Sequence, residues 1–142
     1  MSLVGARILV VEDEPLLRLG LEEMVGELGC ILAGSEGALP PALRQAEAGD
    51  FDIAILDINL SGTRVDPVCD VLASRNIPFI FATGYSESSI TKQDLAAATL
   101  EKPYTLEAVR AAMEEALAPA RESVQLRRSG FNRPPQVRGG SP

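Results

Sequence analysis

The sequence predicts a single α/β domain, a (βα)5 doubly wound parallel sheet, on three observations. From residue 1 to about residue 119, short apolar runs alternate with helical patterns. Most of those runs are apolar at successive residues and not at every second one, as expected of parallel strands covered on both faces. The chain has 142 residues, 46% of them hydrophobic and 23% charged, which suits one sizeable core and not two.

The strands read as Ile8–Val11, Cys30–Ser35, Asp52–Asp57, Pro78–Thr83 and Ala98–Lys102. Between the first two, Leu17, Leu21, Met24 and Leu28 recur at helical spacing, with Pro15 near the start and Gly29 past the end. A second helix fits Pro41–Ala48, stopped by Gly49, and a third starts from Asp66 as N-cap and Pro67, turning Val68 and Leu72 inward. The last helix is capped by Thr105, carries Glu107 in its first turn, and aligns Leu106, Val109, Met113 and Leu117 in one stripe. Residues 86–97 hold only Ile90 and Leu95 as large apolar residues, so a fourth helix there is short or loosely held. Right-handed crossovers between these strands give the flavodoxin-like order 2-1-3-4-5. Beyond Ala120 the chain turns rich in Arg, Pro, Gly and Ser, so the domain is predicted over 1–120 and a flexible basic tail over 121–142.

Composition excludes several chemistries. There is no histidine, which removes a Ser/His triad, a His-bearing zinc site and any imidazole phosphodonor within this chain. Cys30 and Cys69 are too few for a disulfide framework and lie in apolar stretches, as reduced packing residues do. No apolar run approaches the roughly 18 residues of a membrane span, and Arg7, Glu12 and Asp13 interrupt any signal peptide; a cytoplasmic protein is expected. The net charge is −7, and the arginines at 121, 127, 128, 133 and 138 face only Glu122 in the tail. The body is therefore more acidic than the total. It repels nucleic acid and favours cations or basic partners.

In open parallel sheets, ligands bind beyond the carboxyl ends of the strands. Strand one runs into Glu12 and Asp13, strand three ends in Asp57, strand four in Thr83 and strand five in Lys102. Strands one and three are neighbours in the proposed order, so Asp13 and Asp57 converge on one small site. Clustered carboxylates need a cation among them, and all-oxygen ligation favours Mg2+ over zinc. Lys102 adds a mobile positive charge and Thr83 a hydroxyl donor. A nucleophile, a metal, a cation and a hydrogen-bond donor are the parts phosphoryl transfer requires. Asp57 is the candidate nucleophile, giving an acyl phosphate, while Glu12 and Asp13 suit metal holding.

On VVEDEP, ILDINL, FATG and EKP, in their spacing and strand positions, residues 5–118 resemble the receiver domain of two-component response regulators. FATG followed by an aromatic resembles a subfamily common among stand-alone receivers, although Ser86 departs from its last position. The resemblance implies that Asp57 accepts a phosphoryl group from the phosphohistidine of a sensor histidine kinase or a histidine phosphotransfer protein. It implies that Glu12, Asp13, Asp57 and the backbone carbonyl of Asn59 ligate Mg2+, that Thr83 and Lys102 contact the phosphoryl oxygens, and that the Lys102–Pro103 bond is often cis. Asn59 and Tyr85 flank the phosphate and set how quickly water removes it. One departure concerns switching: Thr99 stands where receivers carry a Tyr or Phe. Tyr85, or ordering of the weak fourth helix, is left to take that part.

An aspartate-nucleophile phosphatase of the haloacid dehalogenase type needs a second Asp where Asn59 stands, and a flavodoxin's phosphate loop would be repelled by Glu12, Asp13 and Glu14. A pseudo-receiver that keeps the fold without being phosphorylated is the remaining alternative. The expected protein is thus a phosphorylation-gated binding module and not a turnover enzyme. Its signal leaves through an unknown downstream protein, unless the chain is a fragment, and the face of helices four and five could also form a homodimer.

Overall fold

A computed structural model of the chain describes residues 3–83 and 96–128, with side chains through Ala118. The elements are β1 (Arg7–Val11), α1 (Pro15–Glu27), β2 (Ile31–Glu36), α2 (Leu39–Ala48), β3 (Ile53–Asp57), β4 (Asn59–Leu60), β5 (Thr63–Arg64), α3 (Asp66–Ser74), β6 (Phe79–Thr83), β7 (Ala98–Glu101) and α4 (Leu106–Arg128). Five parallel strands form one sheet in the order β2-β1-β3-β6-β7, the predicted topology once the separate β4–β5 hairpin is set aside. Most of the predicted fourth helix falls on residues 84–95, outside the described residues.

Successive side chains of a strand point to opposite faces, and here both faces are buried. Ile8, Val10, Ile53, Ile55, Ile80 and Ala82 face Leu21 and Val25 of α1 and Val109 and Met113 of α4. Leu9, Val11, Ala54, Leu56, Phe79 and Phe81 face Ala42 and Ala46 of α2 and Val68, Cys69 and Leu72 of α3. Continuous apolar runs were thus a sound signal for β1, β3 and β6. They were not for the edges: Ile31 and Leu32 of β2 are 45% and 41% exposed, and β7 alternates buried with exposed residues. An edge strand has a neighbour on one side only, so its faces are not fully roofed.

The caps adjust three boundaries. Glu14 accepts the Leu16 N–H at 2.8 Å and Pro15 opens α1, while Thr105 Oγ1 accepts the Ala108 N–H at 3.1 Å and caps α4 as expected. α2 begins at Leu39 and not Pro41, from Ala38, whose side chain makes no capping bond. α3 is capped by Val65, so Asp66 lies inside the first turn, where its charge complements the helix dipole. α4 runs to Arg128, past the Ala120 boundary of the predicted domain. It passes through Pro119, and residues 121–128 beyond it hold helix-forming Arg, Glu, Gln and Leu with no Gly or Pro.

Between β3 and α3 the chain forms a two-residue hairpin, β4–β5, outside the predicted strands. Ser61 and Gly62 turn it with φ of 55° and 88°, the positive pair that a type I′ turn demands. On the opposite end of the sheet, Arg75 ties α3 to α2, donating to the carbonyls of Ala46 and Gly49 and lying over the Phe51 ring at 5.8 Å.

Ile55 is fully buried at the centre of the middle strand. Ile55→Ala is expected to lower stability by about 2–5 kcal/mol. Equilibrium urea unfolding with an unchanged slope is the check.

Candidate functional site

Strand register assembles the site. Val11 is level with Leu56, so the next step along both strands brings Glu12 beside Asp57. Asp57 is level with Ala82, and Thr83 with Glu101, so Thr83 and Lys102 follow on the same carboxyl rim. Residues from four strands therefore meet because the strands are parallel and in step.

The side chains complete the convergence. Glu12 is fully buried, Asp57 is 2% exposed, Asp13 is half-buried, and one carboxylate oxygen from each lies within 4.8 Å of the others. Lys102 Nζ donates to Asp57 Oδ1 at 3.1 Å and stands 3.7 Å from Glu12 Oε1. The Tyr104 hydroxyl donates to that same Glu12 oxygen at 2.5 Å, and the Glu14 N–H donates to Oε2 at 3.1 Å. Asp13 Oδ2 accepts both the N–H and the hydroxyl of Ser61, at 2.9 and 3.1 Å. Arg18 reaches across from α1 to donate to the Glu12 carbonyl at 3.0 Å, fixing the backbone that presents both acids.

Charge is unbalanced here. Burial is the main reason that Asp57 is raised to about 8, helped by the hydrogen bond with Asp13 and the charge of Glu12, and opposed by Lys102. Burial also pushes Asp13 up, but its hydrogen bonds with Asp57 and Ser61 outweigh this and hold it below the usual carboxylate value. Burial and the neighbouring acids thus favour the neutral form of Asp57, while the hydrogen bonds to Asp13 favour its charged form. Oxygen donors without nitrogen or sulfur suit a hard divalent cation, and the surplus negative charge supplies the attraction. The donor set fits Mg2+.

These features can be compared with known proteins. Residues 8–114 match the response regulator receiver domain family. The chain belongs to that family. This receiver is 29% identical over 127 residues to the transcriptional regulatory protein PdtaR of Mycobacterium tuberculosis, covering 87% of the chain and 62% of PdtaR. It is 31% identical over 118 residues to the phyllosphere-induced regulator PhyR of Methylorubrum extorquens, covering 80% of the chain and 44% of PhyR. The chain thus spans less than two thirds of these curated relatives. The solution structure of SdrG from Sphingomonas melonis Fr1 superposes with a TM-score of 0.72 at 40% identity, over 82% of this chain and 99% of that one.

Among the predicted site residues, Glu12, Asp13 and Asp57 are in mutual reach in the receiver, and Lys102 reaches Glu12 and Asp57. Thr83 is half-buried on the rim, and its carbonyl accepts the Lys102 N–H at 3.0 Å. Asn59 is exposed, its N–H 3.5 Å from Asp57 Oδ1 and its side-chain oxygen accepting the Gly62 N–H at 2.8 Å. Pro103 is exposed and its bond with Lys102 is cis. Tyr85 lies outside the described residues. Thr99 is exposed on β7, so no aromatic substitutes for the usual ring at that position. Sequence reasoning missed Tyr104 and Ser61. The alternation of Lys102 and Tyr104 two residues apart was the available signal for the first, and the Ser61–Gly62 turn pair for the second.

The folded receiver holds the Asp57 proton up to about pH 8, whereas an ordinary Asp releases it near 3.8, so the folded state binds more protons in that window and stability falls as pH rises through it. Without divalent ions, Asp57→Asn is expected to melt several degrees above the parent at pH 8, with the gap closing toward pH 4. Circular dichroism melts across that range are the check, and a constant gap contradicts it.

Proposed function

We propose that this receiver accepts a phosphoryl group on Asp57 from the phosphohistidine of a sensor histidine kinase or histidine phosphotransfer protein, and that the modification switches its protein contacts within a two-component phosphorelay. The observation that carries this reading is the buried Asp57 carboxylate at the end of the middle strand, 3.1 Å from Lys102 Nζ and within 4.8 Å of Glu12 and Asp13 oxygens.

Glu12, Asp13, Asp57 and the Asn59 carbonyl are the groups that would hold Mg2+. When bound, the ion neutralises the carboxylates and the phosphoryl oxygens together. Asp57 attacks in its ionised form. One carboxylate oxygen bonds to phosphorus as the phosphorus–nitrogen bond of the donor breaks, and the departing imidazole takes up a proton. Lys102 favours the ionised nucleophile and then follows the charge outward onto the phosphoryl oxygens. Thr83 offers its hydroxyl from the neighbouring strand. Asn59 governs water's access to the acyl phosphate, a part assigned to Tyr85 as well. The receiver thus assists its own phosphorylation and dephosphorylation without turning over a separate substrate.

The added phosphoryl group brings about −2 charge and three acceptors to the ends of β3 and β6. Thr83 and Lys102 satisfy them by moving toward Asp57, which reshapes the surface beside β6 and β7. A coupling of about 1–3 kcal/mol between site and surface is of the ordinary size for such switches. The downstream partner is a protein that reads this surface, and a homodimer through it is a further arm of the same proposal. The phosphoacceptor unit is assigned to residues 1–120, with the arginine-rich end taking no part in the chemistry. A cytoplasmic setting goes with this reading; among the described residues no helix is long and apolar enough to cross a membrane.

Incubation with a small acyl phosphate donor and Mg2+ is expected to add one labile phosphoryl group by intact-mass spectrometry, and none to Asp57→Asn. Equal labelling of the variant removes Asp57 from its role. No adduct on the parent favours the pseudo-receiver.

A further inference from the structure

Tyr104 has no part in the scheme above, yet it makes a close contact with an acid of the site. Its ring is 9% exposed and packs in the core cluster that also holds Val109 and Met113 of α4. Its hydroxyl alone reaches out of that apolar setting, to Glu12 Oε1 at 2.5 Å. Glu12 is fully buried, and its other oxygen is occupied by the Glu14 N–H. A carboxylate with no solvent around it takes its orientation from such donors.

We infer that Tyr104 is a positioning residue for the divalent-cation site: its phenol fixes the Glu12 carboxylate in the orientation that lets it face the cation alongside Asp13 and Asp57. A carboxylate oxygen can accept more than one hydrogen bond, so the phenol supports Glu12 without blocking it. Lys102 shares the same oxygen at 3.7 Å, too far to set the orientation by itself. Without the phenol, Glu12 loses the donor that orients it. The inference rests on the Mg2+ site proposed above.

The test is Mn2+ binding to the full chain without phosphodonor, read from the electron paramagnetic resonance signal of the free ion. Tyr104→Phe keeps the ring and removes only the hydroxyl. Its dissociation constant is expected to rise about tenfold, as for other partners that orient metal ligands. Val109→Ala loosens the same cluster without touching a carboxylate. It is expected to lower the melting temperature and leave Mn2+ affinity unchanged. Parental affinity in Tyr104→Phe, or an equal loss in Val109→Ala, overturns the positioning role while leaving the metal site intact. Absence of Mn2+ binding to the parent chain overturns the metal site and the role together.

Discussion

The ends of β1 and β3 force Glu12, Asp13 and Asp57 into one small volume, with Lys102 paired to Glu12 and Asp57. Burial removes the water that would otherwise screen them, and it raises Asp57 well above the usual carboxylate value. Much of the surrounding structure serves this crowding. Arg18 fixes the backbone at Glu12, Ser61 holds Asp13 from the side, and the buried cores beneath and above the sheet keep the strands in step.

The hairpin between β3 and α3 shows how a local backbone choice serves the site. Two consecutive residues with positive φ reverse the chain tightly enough to place the Ser61 N–H and hydroxyl against Asp13, 48 residues away in sequence. A longer loop would present the same donors with greater freedom and a larger ordering cost. Arg75 does comparable work at the other end of the sheet, satisfying carbonyls at the end of α2 that the helix cannot satisfy itself.

The central strands and the first and last helices were legible because their apolar residues repeat at a period that only one local structure explains. Asp57 was legible for a related reason: an acid ending an unbroken apolar strand marks where the buried run meets the rim. The edges were less legible. Nothing in CILAGS tells β2 that it has a neighbour on one side only, so its exposed Ile31 and Leu32 read like core residues. Tyr104 was overlooked because its partner, Glu12, lies 92 residues away and no local pattern reports such a contact. Thr99 carries no ring, and the phenol that reaches Glu12 follows Lys102 by two residues.

The central claim is that the acidic cluster keeps a proton which a divalent ion must displace. The most direct measurement is proton release when Mg2+ is added to a weakly buffered solution of the receiver. About one proton per ion bound is expected at pH 6, with release vanishing as the pH passes 8. Ion binding without release at pH 6 would contradict the raised pKa of Asp57, and with it the electrostatic account of the site.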